Sequence, residues 1–450
     1  LDTADRFVEI IDAVHHAIGA GTQDKGPAKR PGGVRSGADA VILDLEDAVS
    51  MEEKELAREQ VCAAVKSGGY GHRELVIRVN APQTPWGDGI DFRRREVRDF
   101  FIDNTLMWLL DYRFDGLRFD AVHAIPDRSF LTELAERVHA SVEPGRHVHL
   151  VLENEDNRAS LLTAGFTAQW NDDGHNVLHA LLTDESQGYY ADYHQDATTK
   201  LARFLGEGFI YQGQNNRRGE ARGEPSGHLP PTSFVLFLQN HDQTGNRAFG
   251  ERLVSLADAD ALRAATAVLL LSPMVPLLFM GEEWGARQPF LFFTSHHGEL
   301  ADAVREGRRN EFAEFAEFAD EATRERIPDP NAVSTFENSR PDFSARQEPG
   351  HAEWYALYRE LLSIRHREIV PRLQGAHFLE SRVLAQAAVL SRWQLGDGSR
   401  LRLELNLGTQ AAPLPTASIS GELLFASREA THAHDQLAPR MARLYLEKAT

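Results

Sequence analysis

Three acidic residues stand at the ends of apolar runs that have the length and composition of buried strands. Asp120 ends the segment DGLRFD, Glu153 ends HVHLVLE, and Asp242 follows the apolar run in FLQNHD. In barrels of alternating strands and helices, active-site residues come from the carboxyl ends of different strands. A single acid after a strand is commonly a helix cap, but three in this order predict a shared site.

The surroundings of the three acids suit different steps of one reaction. Side chains alternate along a strand, so Arg118 lies on the same face as Asp120, and its charge favours the ionised carboxylate that a nucleophile needs. The apolar run before Glu153 predicts desolvation and a raised pKa, which suits a general acid. Two such carboxyls, about 5 to 5.5 Å apart, are typical of retaining glycoside hydrolysis. Asp242, beside His241, would favour the positively charged transition state.

An alternation of predicted strands and helices would bring these acids to one edge of a sheet. The predicted strands cover residues 40–45, 75–79, 116–122, 148–153, 166–171, 234–240 and 276–280, and the predicted helices cover 52–66, 96–112, 130–142, 158–164 and 259–271. This order predicts an α/β fold, a (β/α)8-type TIM barrel with one strand not accounted for. Alternation with period two on both sides of Gly396-Asp397-Gly398 predicts a C-terminal antiparallel β domain.

The segments that hold the three acids resemble motifs of the α-amylase family of glycoside hydrolases. DGLRFDAVH is similar to its nucleophile motif, LENEDN to its acid/base motif and QNHD to its stabiliser motif. Longer stretches, such as TPWGDGIDF, AQWNDDGHNVLHALLTDESQGYY and RGEPSGHLPPTSFVLFLQNHDQTGNRAFGERL, are similar to the branch of the family that cleaves maltooligosyl trehalose. The resemblance runs from about residue 84 to the C-terminus.

The resemblance implies a role for each of ten residues. Asp120 becomes the nucleophile, Glu153 the acid/base and Asp242 the transition-state stabiliser. Substrate contacts are implied for Arg118, His123, Asp184, Glu185, His241, Gln243 and Asn246. The implied ligand is maltooligosyl trehalose, and no metal or other cofactor is implied. Trp170, Tyr189, Tyr190 and Trp284 are further candidates, because aromatic rings could stack on sugars.

Residues 1–83 resemble a different family, that of the citrate lyase β-subunit and malyl-CoA lyase. The resemblance rests on GADAVILDLEDAVSMEEKELAREQV and ELVIRVNAPQTPWG, with Asp44, Glu46, Asp47 and Arg78 in that family's familiar segments. The metal-binding acids that the lyase family carries further along its chain are absent from this sequence. The Asn-His motif that an α-amylase barrel carries in this region is absent as well. We therefore expect residues 1–83 to supply fold and to limit activity. A CoA-ester lyase and a glucan-binding protein without turnover remain the alternatives.

Composition narrows the possible partners and gives three expected domains. With 48 Lys and Arg against 67 Asp and Glu, the net charge is −19, which disfavours nucleic acid and anionic membranes. The single cysteine, Cys62, allows no internal disulfide and indicates a cytoplasmic protein, and no apolar stretch predicts a membrane span. The expected domains are a lyase-like segment at 1–83, a catalytic barrel at 84–369 and a β domain at 370–450.

Overall fold

A computed structural model describes residues 90–314, 318, 320–415, 421–429 and 435–448, together with four short strands between residues 40 and 88. Several positions named in the sequence analysis lie outside the described residues, namely the predicted helix at 52–66, Cys62, Glu46 and Asp47. The chain divides into two compact units, one of Leu1–Asn104 with Ala124–Phe130 and one of Thr105–His123 with Leu131–Thr450. The three expected domains stay a prediction.

The first unit contains a parallel pair of strands. Strand β1 (Ala40–Asp44) pairs with β2 (Glu74–Arg78) in a register that runs from Ala40 opposite Glu74 to Asp44 opposite Arg78. Both strands lie within a residue of their predicted bounds. Two shorter strands, β3 (Gln83–Thr84) and β4 (Gly87–Asp88), pair in the antiparallel sense.

Five parallel strands form the sheet of the second unit, and they lie side by side in chain order. They are β5 (Gly116–Phe119), β6 (His149–Glu153), β7 (Ala168–Trp170), β10 (Phe234–Leu236) and β11 (Val275–Pro276), with β8 (Gln212–Asn215) and β9 (Ala221–Gly223) forming a hairpin between them. Leu150, Leu152, Phe234 and Leu236 are fully buried. Apolar parallel strands in sequential order are what a TIM barrel requires.

Thirteen α-helices accompany the strands in the described part of the chain. They are α1 (Arg95–Leu106), α2 (Ser129–Ser141), α3 (Ala159–Thr163), α4 (Asp172–Thr183), α5 (Ala191–His194), α6 (Ala197–Glu207), α7 (His241–Gly245), α8 (Leu253–Leu256), α9 (Ala259–Leu271), α10 (Gly298–Glu311), α11 (Glu321–Glu325), α12 (Val333–Asn338) and α13 (His351–Ile364). Helix α9 has its predicted bounds. The helix predicted at 96–112 ends early, because a π-helical turn over Met107–Asp111 follows α1.

Four of the five parallel strands end before their predicted limits. Strand β7 stops at Trp170 instead of residue 171, and β11 stops at Pro276 instead of residue 280. After the other two, β5 and β10, polar side chains of the predicted site follow. Strand β5 stops at Phe119 instead of residue 122, because Ala121 adopts a left-handed backbone with a φ of 42°. Strand β10 stops at Leu236 instead of residue 240, and Asn240 caps helix α7. Asp120 therefore lies in the turn directly after β5, whereas Asp242 lies further from its strand, in the first turn of α7.

The C-terminal residues form the expected antiparallel sheet. Its strand order is β12-β13-β14-β18-β16, with a short separate pair of β15 and β17. These strands are β12 (His377–Ala385), β13 (Ala388–Gln394), β14 (Arg400–Asn406), β15 (Ala412–Pro413), β16 (Glu422–Ala426), β17 (Gln436–Leu437) and β18 (Met441–Glu447). The predicted hairpin is confirmed, since the Leu395 amide donates to the Ser399 carbonyl across the turn.

Candidate active site

One guanidinium joins the carboxyl ends of three neighbouring strands. Arg118 of β5 donates to the carboxylate of Asp120, and its Nη2 lies 2.9 Å from Oε2 of Glu153 at the end of β6. The guanidinium carbon also lies 4.3 Å from the centre of the Trp170 ring, at the end of β7. Arg118 thus brings Asp120 and Glu153 to the same place.

The backbone after Asp120 also contacts Glu153. The Ala121 amide donates to Glu153 Oε2 at 2.8 Å. Ala121 has a left-handed backbone conformation, which costs a non-glycine residue about 1 to 2 kcal/mol. Burial raises the pKa of Glu153; the Ala121 amide and Arg118 oppose this, and the charge of Asp120 adds to it. The net shift is upward, as the apolar run before Glu153 predicts. A carboxyl with a raised pKa holds the proton that a general acid donates.

Asp120 and Glu153 differ in their access to solvent. The Asp120 side chain is 80% exposed, whereas that of Glu153 is 23% exposed, although both contact Arg118. An exposed carboxylate held by a cation can approach an anomeric carbon. A more buried carboxyl beside it can protonate the glycosidic oxygen.

Asp242 lies in the first turn of α7. The Asn240 side chain caps this helix by accepting from the amides of Asp242 and Gln243 at 2.8 and 3.2 Å. His241 Nε2 lies 3.5 Å from Asp242 Oδ2, and the His241 ring centre lies 6.1 Å from that of Trp170. A chain of contacts therefore connects Asp242, through His241 and Trp170, to Arg118, which in turn contacts Asp120 and Glu153.

The remaining candidates near this edge have identifiable contacts. The Glu155 amide donates to His123 Nδ1 at 3.4 Å, which links the turn after β5 to the loop after β6. Gln243 Nε2 donates to Asp172 Oδ1 at 3.4 Å. The Asn246 amide donates to the Asp242 carbonyl at 2.8 Å and closes α7. Their roles in substrate binding stay predictions.

Asp184 and Glu185 contact a different set of residues. Asp184 ends α4 with a 96% exposed side chain that accepts from His194 at 3.0 Å. Glu185 accepts from Arg247 at 2.9 and 3.0 Å and from His179 at 2.9 Å. Burial would raise the pKa of Glu185, but these hydrogen bonds lower it to about 2. Both residues stay candidate substrate contacts, although Glu185 already has strong internal partners.

The four aromatic candidates fall into different environments. Trp170 packs beneath Arg118, and Tyr189 is 79% exposed. Tyr190 is partly buried and stacks on His179 with 4.0 Å between ring centres. Trp284 is only 1% exposed, so its ring belongs to the core and is not available to a sugar. The expectation for Trp284 is therefore wrong.

Two acids that the sequence reasoning missed begin helix α4, directly after β7. Asp173 is fully buried and accepts hydrogen bonds from Ile210, Tyr211, Asn157, Tyr193 and Arg222. Asp172 is only partly buried and contacts Gln243. The signal was present, because WNDDG follows the predicted strand at 166–171 as the other acids follow theirs.

The described residues contain neither a cluster of metal-ligating side chains nor a membrane-spanning helix. No group of three or more His, Cys, Asp or Glu side chains within them could hold a metal ion. Among the helices of the same residues, none combines the length and apolar character needed to cross a membrane.

A solved structure shows the class of this protein. The chain is 36% identical to a Salmonella typhimurium protein assigned as an alpha amylase, and the match covers 90% of this chain and 72% of that one with a TM-score of 0.74. The chain therefore belongs to the α-amylase family of glycoside hydrolases. The prediction of a TIM barrel with a C-terminal antiparallel β domain is confirmed by this match.

Among curated proteins, the chain is similar to malto-oligosyltrehalose trehalohydrolases. It is 36% identical to that of Mycobacterium tuberculosis over 365 residues, which are 77% of this chain and 60% of the relative. It is 42% identical to that of Deinococcus radiodurans over 292 residues, which are 63% of this chain and 47% of the relative. The chain thus spans 47% and 60% of the lengths of these two relatives.

Two shorter segments match family descriptions. Residues 33–102 match the HpcH/HpaI aldolase/citrate lyase family, which confirms the resemblance of the N-terminal segment. Residues 376–445 match a domain of unknown function, DUF3459, and they coincide with the C-terminal sheet. The α-amylase-like and lyase-like matches therefore fall on one chain.

Proposed function

We propose that the chain is a retaining glycoside hydrolase that cleaves the α-1,4-glucosidic bond next to the trehalose unit of maltooligosyl trehalose and releases trehalose. The observation that carries the proposal is the bridging of an exposed Asp120 and a more buried Glu153 by Arg118, at adjacent strand ends. The trehalohydrolase relatives support the choice of substrate.

The proposed reaction has two displacements. The Asp120 carboxylate attacks the anomeric carbon while Glu153 donates its proton to the glycosidic oxygen, so that trehalose leaves and a glycosyl ester forms on Asp120. The Glu153 carboxylate then takes a proton from water, and the resulting attack on the anomeric carbon breaks the ester. Asp242 favours the positive charge of both transition states. The reaction written in this way uses no cofactor.

Stereochemistry tests the proposed role of Asp120. Double displacement keeps the configuration of the anomeric carbon, so the new reducing end of the maltooligosaccharide should appear first as the α-anomer. Rapid proton NMR of a fresh reaction distinguishes the two anomers before they equilibrate. First appearance of the β-anomer would show inversion and exclude a glycosyl ester on Asp120.

The proposal extends to the process and the compartment. Release of trehalose from a maltooligosyl precursor would place the protein in trehalose biosynthesis. The single cysteine among 450 residues is in keeping with the reducing cytoplasm. A tagged protein that fractionated outside the cytoplasm would contradict this part of the proposal.

The aldolase/citrate lyase match at residues 33–102 keeps a CoA-ester lyase as a second candidate. Such a reaction polarises its substrate through a bound cation, whereas the proposed hydrolysis does not. We expect trehalose release that chelators leave unchanged. Metal-dependent cleavage of malyl-CoA or citryl-CoA that Arg78→Ala abolishes would favour the lyase, and glucan binding without turnover would favour a binding protein.

A further inference from the structure

The loop that follows Glu153 is held in place by groups from other parts of the chain. The ladder between β6 and β7 ends where Glu153 pairs with Trp170. Beyond this point, three backbone carbonyls of residues 154–157 accept from donors outside the loop: Asn154 from Gln169 Nε2 at 2.8 Å, Glu155 from Arg222 Nε at 2.7 Å, and Asn157 from the Glu224 amide at 3.0 Å. Tertiary contacts therefore fix the backbone directly after Glu153.

Of these three donors, Arg222 is the charged one, and its guanidinium is held from two further sides. Arg222 lies on β9 with a side chain that is only 11% exposed. Its Nη1 donates to the Tyr193 hydroxyl at 2.9 Å, and its Nη2 donates to the fully buried Asp173 carboxylate at 3.2 Å. Because a guanidinium is planar, these two contacts also fix the direction in which Nε donates to the Glu155 carbonyl.

The Glu155 backbone connects Arg222 to the turn that follows Asp120. Its carbonyl accepts from Arg222, and its amide donates to His123 Nδ1 at 3.4 Å. His123 lies in the 3-10 turn of Val122–Ala124, just beyond the end of β5. Through one residue, Arg222 therefore reaches both the loop after β6 and the turn after β5.

We propose that Arg222 is a positioning residue of the active site, which holds the Glu155 backbone and so fixes the loop that orients Glu153. The catalytic part of this inference rests on the proposed hydrolysis, in which Glu153 donates a proton to the glycosidic oxygen. Proton donation requires hydrogen-bond distance between the acid and that oxygen, and a displacement of about 1 Å can lower a rate about 100-fold.

The test is the variant Arg222→Lys. Lysine keeps a positive charge beside the buried Asp173, but its single nitrogen cannot reach Asp173, Tyr193 and the Glu155 carbonyl as the planar guanidinium does. We expect kcat/KM for trehalose release from maltooligosyl trehalose to fall about 10- to 100-fold. If this variant does not fold, Tyr193→Phe, which removes one group that orients the guanidinium, should give a smaller loss of the same kind.

A second substrate separates the positioning of Glu153 from a general loss of structure. Fluoride leaves an anomeric carbon with little help from an acid, so kcat/KM for α-maltotriosyl fluoride depends less on proton donation by Glu153. For this substrate, we expect Arg222→Lys to lower kcat/KM by less than about threefold. An equal fall for both substrates would mean a merely structural role and would overturn the proposal.

Arg146→Lys is the matched control. Arg146 is 12% exposed and also donates to backbone carbonyls, those of Leu109 at 2.7 Å and Phe114 at 2.8 Å. It has the same substitution, a similar burial and the same kind of acceptor, but its partners precede β5. We expect kcat/KM for both substrates to stay unchanged in this variant. A selective loss on maltooligosyl trehalose in Arg146→Lys as well would overturn the special role of Arg222.

Hydrogen exchange followed by mass spectrometry measures the loop without relying on activity. The Asn157 amide donates to the Asn154 carbonyl at 3.1 Å, and the Glu155 amide donates to His123. We expect the peptide that contains these amides to exchange about 10-fold faster in Arg222→Lys, and at the wild-type rate in Arg146→Lys. Unchanged exchange in Arg222→Lys would overturn the proposal. If the wild type hydrolysed neither substrate, the proposed function would fail, while the exchange rates would still decide whether Arg222 holds the loop.

Discussion

Two carboxylate–guanidinium clusters in this molecule lie within the motifs that resemble those of glycoside hydrolases. They differ in how many protein partners each carboxylate has and in how far it is exposed to solvent. In the strand-end cluster, formed by Asp120, Glu153 and Arg118, one guanidinium serves two carboxyls, and Asp120 is 80% exposed. In the internal cluster, formed by Glu185, Arg247 and His179, three hydrogen bonds converge on one carboxylate.

The difference shows what makes an acid available for chemistry. A carboxylate whose acceptor sites are filled by the protein stabilises the fold, and a substrate would have to displace those partners. A carboxylate with one cation and open solvent can receive a substrate without such a loss. The predictions below test this distinction by altering one cluster, or a related carboxyl, at a time.

The largest effect is expected from the strand-end cluster. Asp120→Asn removes the proposed nucleophile and should lower kcat by at least about 1000-fold with the fold intact. Trehalose release and circular dichroism of the same preparation measure the two quantities. Glu153→Gln should also remove most of kcat through the acid/base step. Full kcat in a folded Asp120→Asn would show that the exposed acid is not the nucleophile.

Glu282 provides a third arrangement, a buried carboxyl that accepts hydrogen bonds from Gln239 and Tyr358 and forms no ion pair within the described part of the chain. Burial raises the pKa of Glu282 to about 8, although hydrogen bonds, including those from Gln239 and Tyr358, partly oppose this rise. The unfolded chain ionises Glu282 near pH 4.5, whereas the folded protein keeps the proton to about 8. The folded state therefore binds the extra proton in this window, and the free energy of unfolding should fall as pH rises, by up to about 1.4 kcal/mol per unit.

Urea unfolding of Glu282→Gln at several pH values between 5 and 8 checks this slope. The variant should lose the part of the pH dependence that Glu282 causes, whereas Glu299→Gln, at an exposed position, should retain it. Equal slopes in the wild type and Glu282→Gln would show that the buried carboxyl does not titrate in this range.

The internal cluster should affect stability more than catalysis. Arg247→Ala leaves Glu185 without its guanidinium and should lower the free energy of unfolding by about 2 kcal/mol, because the pair is only partly exposed. The exposed pair of Arg113 and Glu143 gives the control, since Arg113→Ala should cost less than about 1 kcal/mol. A large fall in kcat in folded Arg247→Ala, beyond the loss of stability, would place this cluster in the active site.

The smallest effect concerns the backbone of the strand-end cluster. Ala121→Gly relieves the left-handed backbone and should stabilise the protein by about 1 kcal/mol. It should also lower kcat a few-fold, since the amide that binds Glu153 is then held less firmly. Ala387→Gly, at a φ of 56° in the turn between β12 and β13, should give a similar gain without any change in kcat. Unchanged kcat in both variants would remove Ala121 from the catalytic arrangement.

The sequence alone was sufficient where the signal is local. Apolar runs followed by an acid predicted that Asp120, Glu153 and Asp242 would lie at strand ends. Glu153 ends β6 and Asp120 directly follows β5, whereas Asp242 lies beyond the end of β10, in the first turn of α7. Helix α9 and the hairpin between β13 and β14 were likewise predictable, because periodicity and turn residues specify them over a few positions.

Tertiary structure alone decided how each polar group is satisfied. Glu185 lies in a promising motif, but its guanidinium partner is 62 residues away in the chain. Trp284 carries a ring suited to sugars, yet distant elements bury it. Asp172 and Asp173 are adjacent and identical in type, and only the packing around them leaves one half-buried near Glu153 and surrounds the other with donors. Burial and hydrogen bonding depend on residues remote in sequence, so no local pattern could assign them.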